Sequence, residues 1–157
     1  MEVDAPPNAA ADFRPRSLFL RVYHAAIAAA VLVVVDWAIR ILPFDVIAKR
    51  IRAELRWRAS PADADVASPQ VKWALSAAER RIPWTVPCLA QAVAANRLLA
   101  WRGVPSEVWL GVRPAGTATI DAHAWLVAGG TVVTGSAGKP QYTPLHSLVT
   151  PAPPLAF

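Results

Sequence analysis

The abrupt change from proline-broken chain to helix at residue 88 constrains the fold of this sequence more than any other feature. Pro83 and Pro87 bracket a segment in which regular structure is excluded, because proline fixes φ and restricts the residue before it. A helical pattern follows at once over 88–101, and Gly103 and Pro105 end it. This helix therefore begins at Cys88, the only cysteine in the chain.

An alternating pattern typical of β-strands follows the helix. Apolar and polar residues alternate over 107–113, and a second strand is predicted over 119–128. Gly129 and Gly130 have the spacing of a two-residue hairpin turn, so 131–135 is predicted to return antiparallel to the second strand. This order of elements predicts an α+β fold in which the cysteine-bearing helix packs on an antiparallel sheet.

The N-terminal part of the chain is apolar and then basic. The uninterrupted part of the apolar stretch 17–42 covers 25–35, which is shorter than the roughly 20 residues that span a bilayer. A buried helix is therefore expected, with membrane association as the alternative. Pro43 ends this helix, and an amphipathic helix with a basic outer face is predicted over 44–58.

The remaining segments are read from proline and capping residues. Residues 1–16 are predicted to be a flexible tail, and the proline-rich chain beyond residue 139 is predicted to be extended and irregular. A linker is predicted over 59–65, and Ser68 followed by Pro69 is typical of a helix start, with the serine as the cap of a helix over 68–81. The predicted divisions are a tail at 1–16, an N-terminal helical segment at 17–66 and a core domain at 67–157.

Composition narrows the class of protein. The apolar fraction of 55% and the charged fraction of 17% predict a folded chain with a substantial core. One cysteine excludes an internal disulfide and a zinc site built from several thiolates. No metal or cofactor is expected. The acidic, proline-rich start lacks a secretory signal, which predicts a cytoplasmic protein.

The net charge of +5 is concentrated between Lys49 and Arg58. Three explanations stay open for this basic segment, namely a solvated helix face, contact with a membrane surface, and an acidic peptide partner. The basic segment and the apolar stretch before it together predict peripheral membrane contact through 17–58. Nucleic acid is not expected, because nothing in the chain resembles a nucleic-acid module.

Cys88 is a candidate nucleophile. A thiolate reacts and a thiol does not, and a helix N-terminus stabilises the negative charge. The backbone N–H of Cys88, together with the indole N–H of Trp84, is a candidate oxyanion donor. The other explanation is a buried structural cysteine.

His123 is the histidine best placed to activate a thiol. His24 belongs to the apolar helix and His146 to the proline-rich tail, whereas His123 lies in a strand. Side chains two apart share a face of a strand, so Asp121 and His123 point the same way, and a carboxylate there is a candidate to orient the imidazole. A structural histidine and a solvated aspartate are the alternatives.

The residues around this pair resemble those of a known enzyme family. Cys88-Leu89-Ala90-Gln91-Ala92, Leu110-Gly111-Val112-Arg113 and Ala122-His123-Ala124-Trp125 are similar to motifs of the leader peptidases of lasso-peptide biosynthesis. The resemblance covers roughly residues 70–140. It implies a transglutaminase-like (papain-like) core and a Cys–His–acid triad that removes the leader from a ribosomally made precursor peptide.

The same resemblance implies partners. A small leader-binding protein delivers the precursor to standalone proteases of this family, and a separate ATP-dependent macrolactam cyclase closes the ring afterwards. Both are therefore expected as partners of this chain, together with the precursor itself.

The third member of the triad departs from the family pattern. Transglutaminase-like enzymes usually carry it on the strand after the histidine, where pairing of Trp125 with Thr134 leaves only a hydroxyl on the His123 face. The candidates are therefore Asp121, Thr134 or no third residue. Two other functions stay open, namely an acyltransferase that uses the same Cys–His pair and a non-enzymatic membrane-associated scaffold.

Overall fold

The chain folds into a layer of helices packed on one antiparallel sheet. The computed structural model describes residues 17–52, 64–116, 119–136 and 142–150. Its elements are α1 (Leu18–Ile41), α2 (Phe44–Arg52), α3 (Ala64–Glu79), α4 (Cys88–Ala100), β1 (Ser106–Pro114), β2 (Ile120–Ala128), β3 (Thr131–Thr134) and β4 (Thr143–Thr150). The predicted α+β class and the cysteine-bearing helix on a sheet are confirmed.

Helix α4 lies at the centre of the helical layer. Its small residues allow close approach on several sides, and Ala90, Ala92, Ala94, Ala95 and Leu99 are all buried. It contacts α1, α3 and the sheet. Burial of a leucine such as Leu99 contributes about 1.5–3 kcal/mol to folding. Asn96 donates to Ser106 Oγ at 3.1 Å, so a buried polar contact also ties α4 to β1.

The sheet has the strand order β3-β2-β1-β4, and all neighbours are antiparallel. Gly129 and Gly130 both have positive φ, as the predicted two-residue turn between β2 and β3 requires. Ala124 and Leu126 of β2 belong to the hydrophobic core under the helices. Because side chains alternate along a strand, Asp121, His123 and Trp125 lie on the other face of β2.

Strand β4 corrects the prediction of an irregular tail beyond residue 139. Residues 143–150 pair with β1 along the edge of the sheet, with a register shift next to Gly111. Pro144 is tolerated because an edge strand has one side without ladder hydrogen bonds. Strands β3 and β4 therefore lie at the two opposite edges of the sheet. Residues 137–141 and 151–157 lie outside the described residues.

Helix α3 starts earlier than predicted. It begins at Ala64, so Ser68 is not a cap but a buried residue whose hydroxyl has no hydrogen-bond partner among the described residues. Pro69 lies inside the helix and cannot donate to the carbonyl four residues before it. The start of α3 packs close to the β2–β3 turn, where a Cβ on Gly129 would be 3.1 Å from Ala64 Cβ. This tertiary contact outweighs the local capping signal.

Helix α1 is only partly buried, which corrects the expectation of a buried helix. One face, with Ala25, Ala28, Leu32 and Asp36, packs against α3 and α4. By length and composition alone, α1 is able to cross a membrane, and no other helix within the described ranges is. The basic helix is described only to Arg52, with Ile47 and Ile51 buried, and the predicted tail 1–16 lies outside the described residues. The division at residues 66 and 67 stays a prediction.

Candidate active site

Cys88 is the first residue of α4. Pro87 precedes it in an extended conformation, and no side chain caps the helix. The N–H groups of the first turn are therefore not used by a capping side chain, and a negative charge on the sulfur or on a bound carbonyl oxygen is stabilised there. Cys88 is a free, half-buried thiol.

The segment before Cys88 is fixed by two side chains. Gln91 Nε2 donates to the carbonyl of Val86 at 3.1 Å. The Trp84 indole N–H donates to Asp36 Oδ2 on α1 at 3.1 Å. An indole has only one N–H, so this bond corrects the expectation that Trp84 serves an oxyanion. Trp84 instead anchors the approach to the helix, and the backbone N–H of Cys88 remains the candidate donor.

His123 is held by a backbone carbonyl. Its Nε2 lies 3.0 Å from the carbonyl oxygen of Gly135, just after β3. A carbonyl only accepts, so Nε2 carries the proton, and in the neutral imidazole Nδ1 is the acceptor. A proton acceptor for a thiol is thus available on the nitrogen that does not bind Gly135.

Gly135 is the residue that this arrangement requires. Its φ of +73° belongs to the left-handed region. A Cβ there would lie 2.6 Å from the carbonyl oxygen of Ala124 and 2.8 Å from Trp125 Cβ. Any side chain at this position would move the carbonyl that orients His123.

Asp121 binds other groups than the imidazole. Its Oδ2 accepts from the Tyr142 hydroxyl at 2.7 Å and from Arg113 Nη2 at 2.9 Å. The hydrogen bond from Tyr142, followed by that from Arg113, lowers the pKa of Asp121. No hydrogen bond joins Asp121 to His123 among the described residues, so the expected direct orientation is not seen. The charge of His123 does contribute to lowering the pKa of Asp121.

Tyr142 links the candidate residues and was not foreseen from the sequence. Its ring stacks on His123 with the centroids 5.0 Å apart, and the Arg113 guanidinium lies 4.8 Å from the Tyr142 centroid. The hydrogen bond to Asp121 is the largest cause that raises the pKa of Tyr142, and the charge of Cys88 is a smaller one. His123 therefore contacts Tyr142 directly. No hydrogen bond joins Cys88 and His123 in the described part of the chain.

Thr134 does not take the place predicted for it. The predicted pairing of Ala128 with Thr131 is confirmed, but a bulge next to Val127 puts Thr134 opposite Leu126 instead of Trp125. Directly opposed residues share a face, so Thr134 lies on the core side of the sheet and not with His123. Its hydroxyl is buried without a described hydrogen-bond partner.

Two tryptophans extend the His123 face into a groove. Trp109 and Trp125 stack with centroids 6.3 Å apart, and Trp125 stacks on His123 at 6.2 Å. They line a groove of about 510 Å³ together with Glu107 and the β2–β3 turn. The groove is therefore continuous with the face that carries the imidazole. Within the described ranges, no three His, Cys, Asp or Glu side chains lie close enough together to hold a metal ion.

Comparison with known proteins gives one family. The model of the Transglutaminase-like superfamily matches residues 29–147, which include α2 to α4, strands β1 to β3, the second half of α1 and the first part of β4. No curated protein and no solved structure matches the chain significantly.

Proposed function

Because this chain belongs to the transglutaminase-like superfamily, whose members are typically cysteine-dependent enzymes and include peptidases and acyltransferases, we propose that it is a cysteine peptidase. Its proposed substrate is the leader region of a lasso-peptide precursor. The observation that carries the catalytic part is the 3.0 Å contact between His123 Nε2 and the Gly135 carbonyl oxygen, which leaves Nδ1 of the neutral imidazole as the proton acceptor.

The proposed reaction has two steps. His123 Nδ1 takes the proton of Cys88, and the thiolate attacks the scissile carbonyl carbon. The tetrahedral intermediate collapses when the leaving amine takes the proton from His123, which leaves a thioester on Cys88. A water molecule, deprotonated by the same nitrogen, then hydrolyses the thioester and releases the leader with a free carboxyl group.

The surrounding groups have supporting roles in this proposal. The N–H of Cys88 donates to the oxyanion at the start of α4. The Gly135 carbonyl accepts from Nε2 throughout, and Asp121 holds the Tyr142 ring that stacks on His123.

The choice of leader peptides as substrate rests on the sequence. The motifs around Cys88, Gly111 and His123 are those quoted above, and lasso leader peptidases combine them in this order. We accordingly propose a separate leader-binding protein and an ATP-dependent cyclase as partners in the same pathway.

A cleavage assay tests the proposal. The full chain is incubated with a lasso precursor encoded beside its gene and with the leader-binding protein, and products are followed by mass spectrometry. Cys88→Ala and His123→Ala are expected to abolish release of the leader, whereas His24→Ala, at a histidine bonded only to its own helix, keeps it. Release of the leader by the Cys88→Ala protein contradicts the proposal.

The same assay separates hydrolysis from acyl transfer. With an added primary amine, a peptidase gives a leader that ends in a carboxylic acid, whereas an acyltransferase gives the amide of that amine. Predominant amide at millimolar amine would replace the peptidase with the transferase. A thiol that reacts only after denaturation, in a protein that cleaves nothing, would favour the scaffold.

A further inference from the structure

Helix α1 carries an uncharged stripe that nothing in the described chain covers. Phe19, Val34, Trp37 and Ile41 are 77%, 67%, 58% and 72% exposed. Val22, Ala26 and Ala30 continue the stripe at helical spacing and are also exposed. A helix of this length is about 36 Å long. A continuous apolar surface of that size marks a site of interaction.

Contacts of the inner face hold α1 on the rest of the protein. Asp36 is 2% exposed on that face, and it accepts from Trp84 and from Arg40. Moving α1 into the interior of a bilayer would break these bonds and separate α1 from α3 and α4. The stripe therefore faces its partner while α1 stays on the protein.

A groove with two arginines adjoins the stripe. Val31, Val34 and Val35 of α1 form one wall of this groove of about 450 Å³, and Arg50 of α2 and Arg97 of α4 lie on the others. Arg97 Nη2 is buried without a hydrogen-bond partner among the described residues. Burial and then the charge of Arg50 lower the pKa of Arg97. An anion in this groove would give Arg97 a hydrogen-bond acceptor and would offset the repulsion between Arg97 and Arg50.

We propose that the α1 stripe and the adjoining groove dock the protein on an anionic membrane surface, with α1 parallel to the bilayer plane and lipid headgroup phosphates beside Arg50 and Arg97. The stripe enters the boundary between headgroups and acyl chains. Phe19 and Tyr23 near one end, and Trp37 and Phe44 near the other, supply the aromatic residues that favour this boundary. The proposal is independent of the peptidase activity.

The chemistry of the stripe favours a membrane over an acidic peptide. Between Ala26 and Val34 the exposed side chains of the stripe offer only hydrocarbon, with no polar group to fix the register of a peptide. Cations lie beside the stripe instead, with Arg40 exposed on α1 and Arg50 exposed in the adjoining groove. An apolar strip edged by cations matches an anionic bilayer.

Vesicle flotation with the full chain tests whether the stripe and the groove dock on an anionic membrane. Wild type is expected to float with phosphatidylcholine vesicles that contain phosphatidylglycerol, and weakly with pure phosphatidylcholine. Val34→Glu is expected to lower binding about tenfold or more. Val66→Glu is the matched control, because Val66 is 55% exposed on α3 and away from the stripe, and it should bind as wild type does. Arg50→Gln and Arg97→Gln are each expected to lower binding to the anionic vesicles about fivefold without changing binding to neutral ones.

Other outcomes would overturn the docking surface. Equal binding by Val34→Glu and Val66→Glu would rule out the stripe, and equal losses on neutral vesicles would rule out the arginines as phosphate ligands. If wild type is a dimer without vesicles, does not float, and becomes a monomer on Val34→Glu, the stripe binds a second copy. Failure to float by a protein that cleaves its precursor refutes only the membrane site, whereas floating without cleavage refutes only the peptidase.

Discussion

Cys88 and His123 are held in place by two different kinds of structure. The cysteine lies at the start of a helix that is set by neighbours in the sequence, from Pro87 before it to the alanines after it. The histidine lies in a strand, but its ring donates a hydrogen bond to the Gly135 carbonyl and stacks on Tyr142, and both of these residues lie beyond the β2–β3 turn. Damage to the first region should therefore appear as lost stability, and damage to the second as lost activity.

The largest effect is expected from the core of α4. Leu99→Ala leaves a cavity at a residue that is fully buried, so the free energy of unfolding should fall by about 2–5 kcal/mol. Urea unfolding measures it. Leu145→Ala, at a residue 65% exposed on β4, should change stability by less than about 0.5 kcal/mol. Similar losses for the two variants would mean that α4 is not the centre of the core.

Gly135→Ala should separate activity from stability. The methyl group would displace the carbonyl that holds His123, and a misplacement of this kind lowers kcat about 100-fold. Gly130→Ala is the control, because Gly130 also has positive φ, but a Cβ there meets no atom within 4 Å. Both variants should lose stability because of the positive φ, and Gly135→Ala should lose more because its methyl group overlaps Ala124 and Trp125. The kcat values are therefore compared per folded molecule, where only Gly135→Ala should lose activity. Equal kcat values for the two variants would show that the Gly135 carbonyl does not contribute to catalysis.

Trp84→Phe tests the anchor of the segment before Cys88. It removes the only hydrogen bond that this segment gives to buried Asp36, so about 1–3 kcal/mol of stability should be lost. Trp37→Phe alters an indole that is 58% exposed and serves as the control in a thermal unfolding experiment. If Trp84→Phe unfolds at the same temperature as Trp37→Phe, the hydrogen bond to Asp36 makes no net contribution to stability.

Tyr142→Phe should have the smallest effect on stability at neutral pH, and it should change how stability depends on pH. It removes the largest cause of the lowered pKa of Asp121, so that pKa should rise towards its ordinary value, and Arg113 should keep it somewhat low. A lowered carboxyl pKa stabilises the fold above the pKa of the unfolded chain, and this contribution is lost as pH falls through the folded pKa. The variant should therefore lose less stability on acidification.

NMR titration of the Asp121 carboxyl carbon measures this pKa directly. Tyr23→Phe, which removes a hydroxyl remote from Asp121, is the control. An Asp121 pKa that is the same in wild type and in Tyr142→Phe would contradict the contact.

The sequence predicted those parts of the fold that depend on neighbouring residues. The start of α4 and the Gly129–Gly130 turn follow from local conformational preferences. The start of α3 was missed because packing against the turn overrides a capping signal at Ser68. Strand β4 was missed because proline excludes a central strand and permits an edge strand, and local pattern does not reveal which edge is free.

In the candidate site, too, the sequence predicted what local pattern determines and missed what tertiary structure determines. Cys88 and His123 stand out in the sequence because of their residue types and predicted elements. A one-residue bulge changed the face of Thr134, and alternation alone gives no sign of such a bulge. A backbone carbonyl such as that of Gly135 has no residue type to mark it. Tyr142 lies just before the edge strand β4, which does not pair with β2, so no local pattern associates it with His123.

The central claim is that the imidazole of His123 takes the proton of the Cys88 thiol in the folded protein. The rate of Cys88 alkylation by iodoacetamide, measured against pH in wild type and in His123→Ala, tests it without any substrate. The pairing predicts rapid alkylation of wild type near neutral pH and, in the variant, a profile displaced to higher pH with a slower rate at neutrality. Coincident profiles in two equally folded proteins would contradict it.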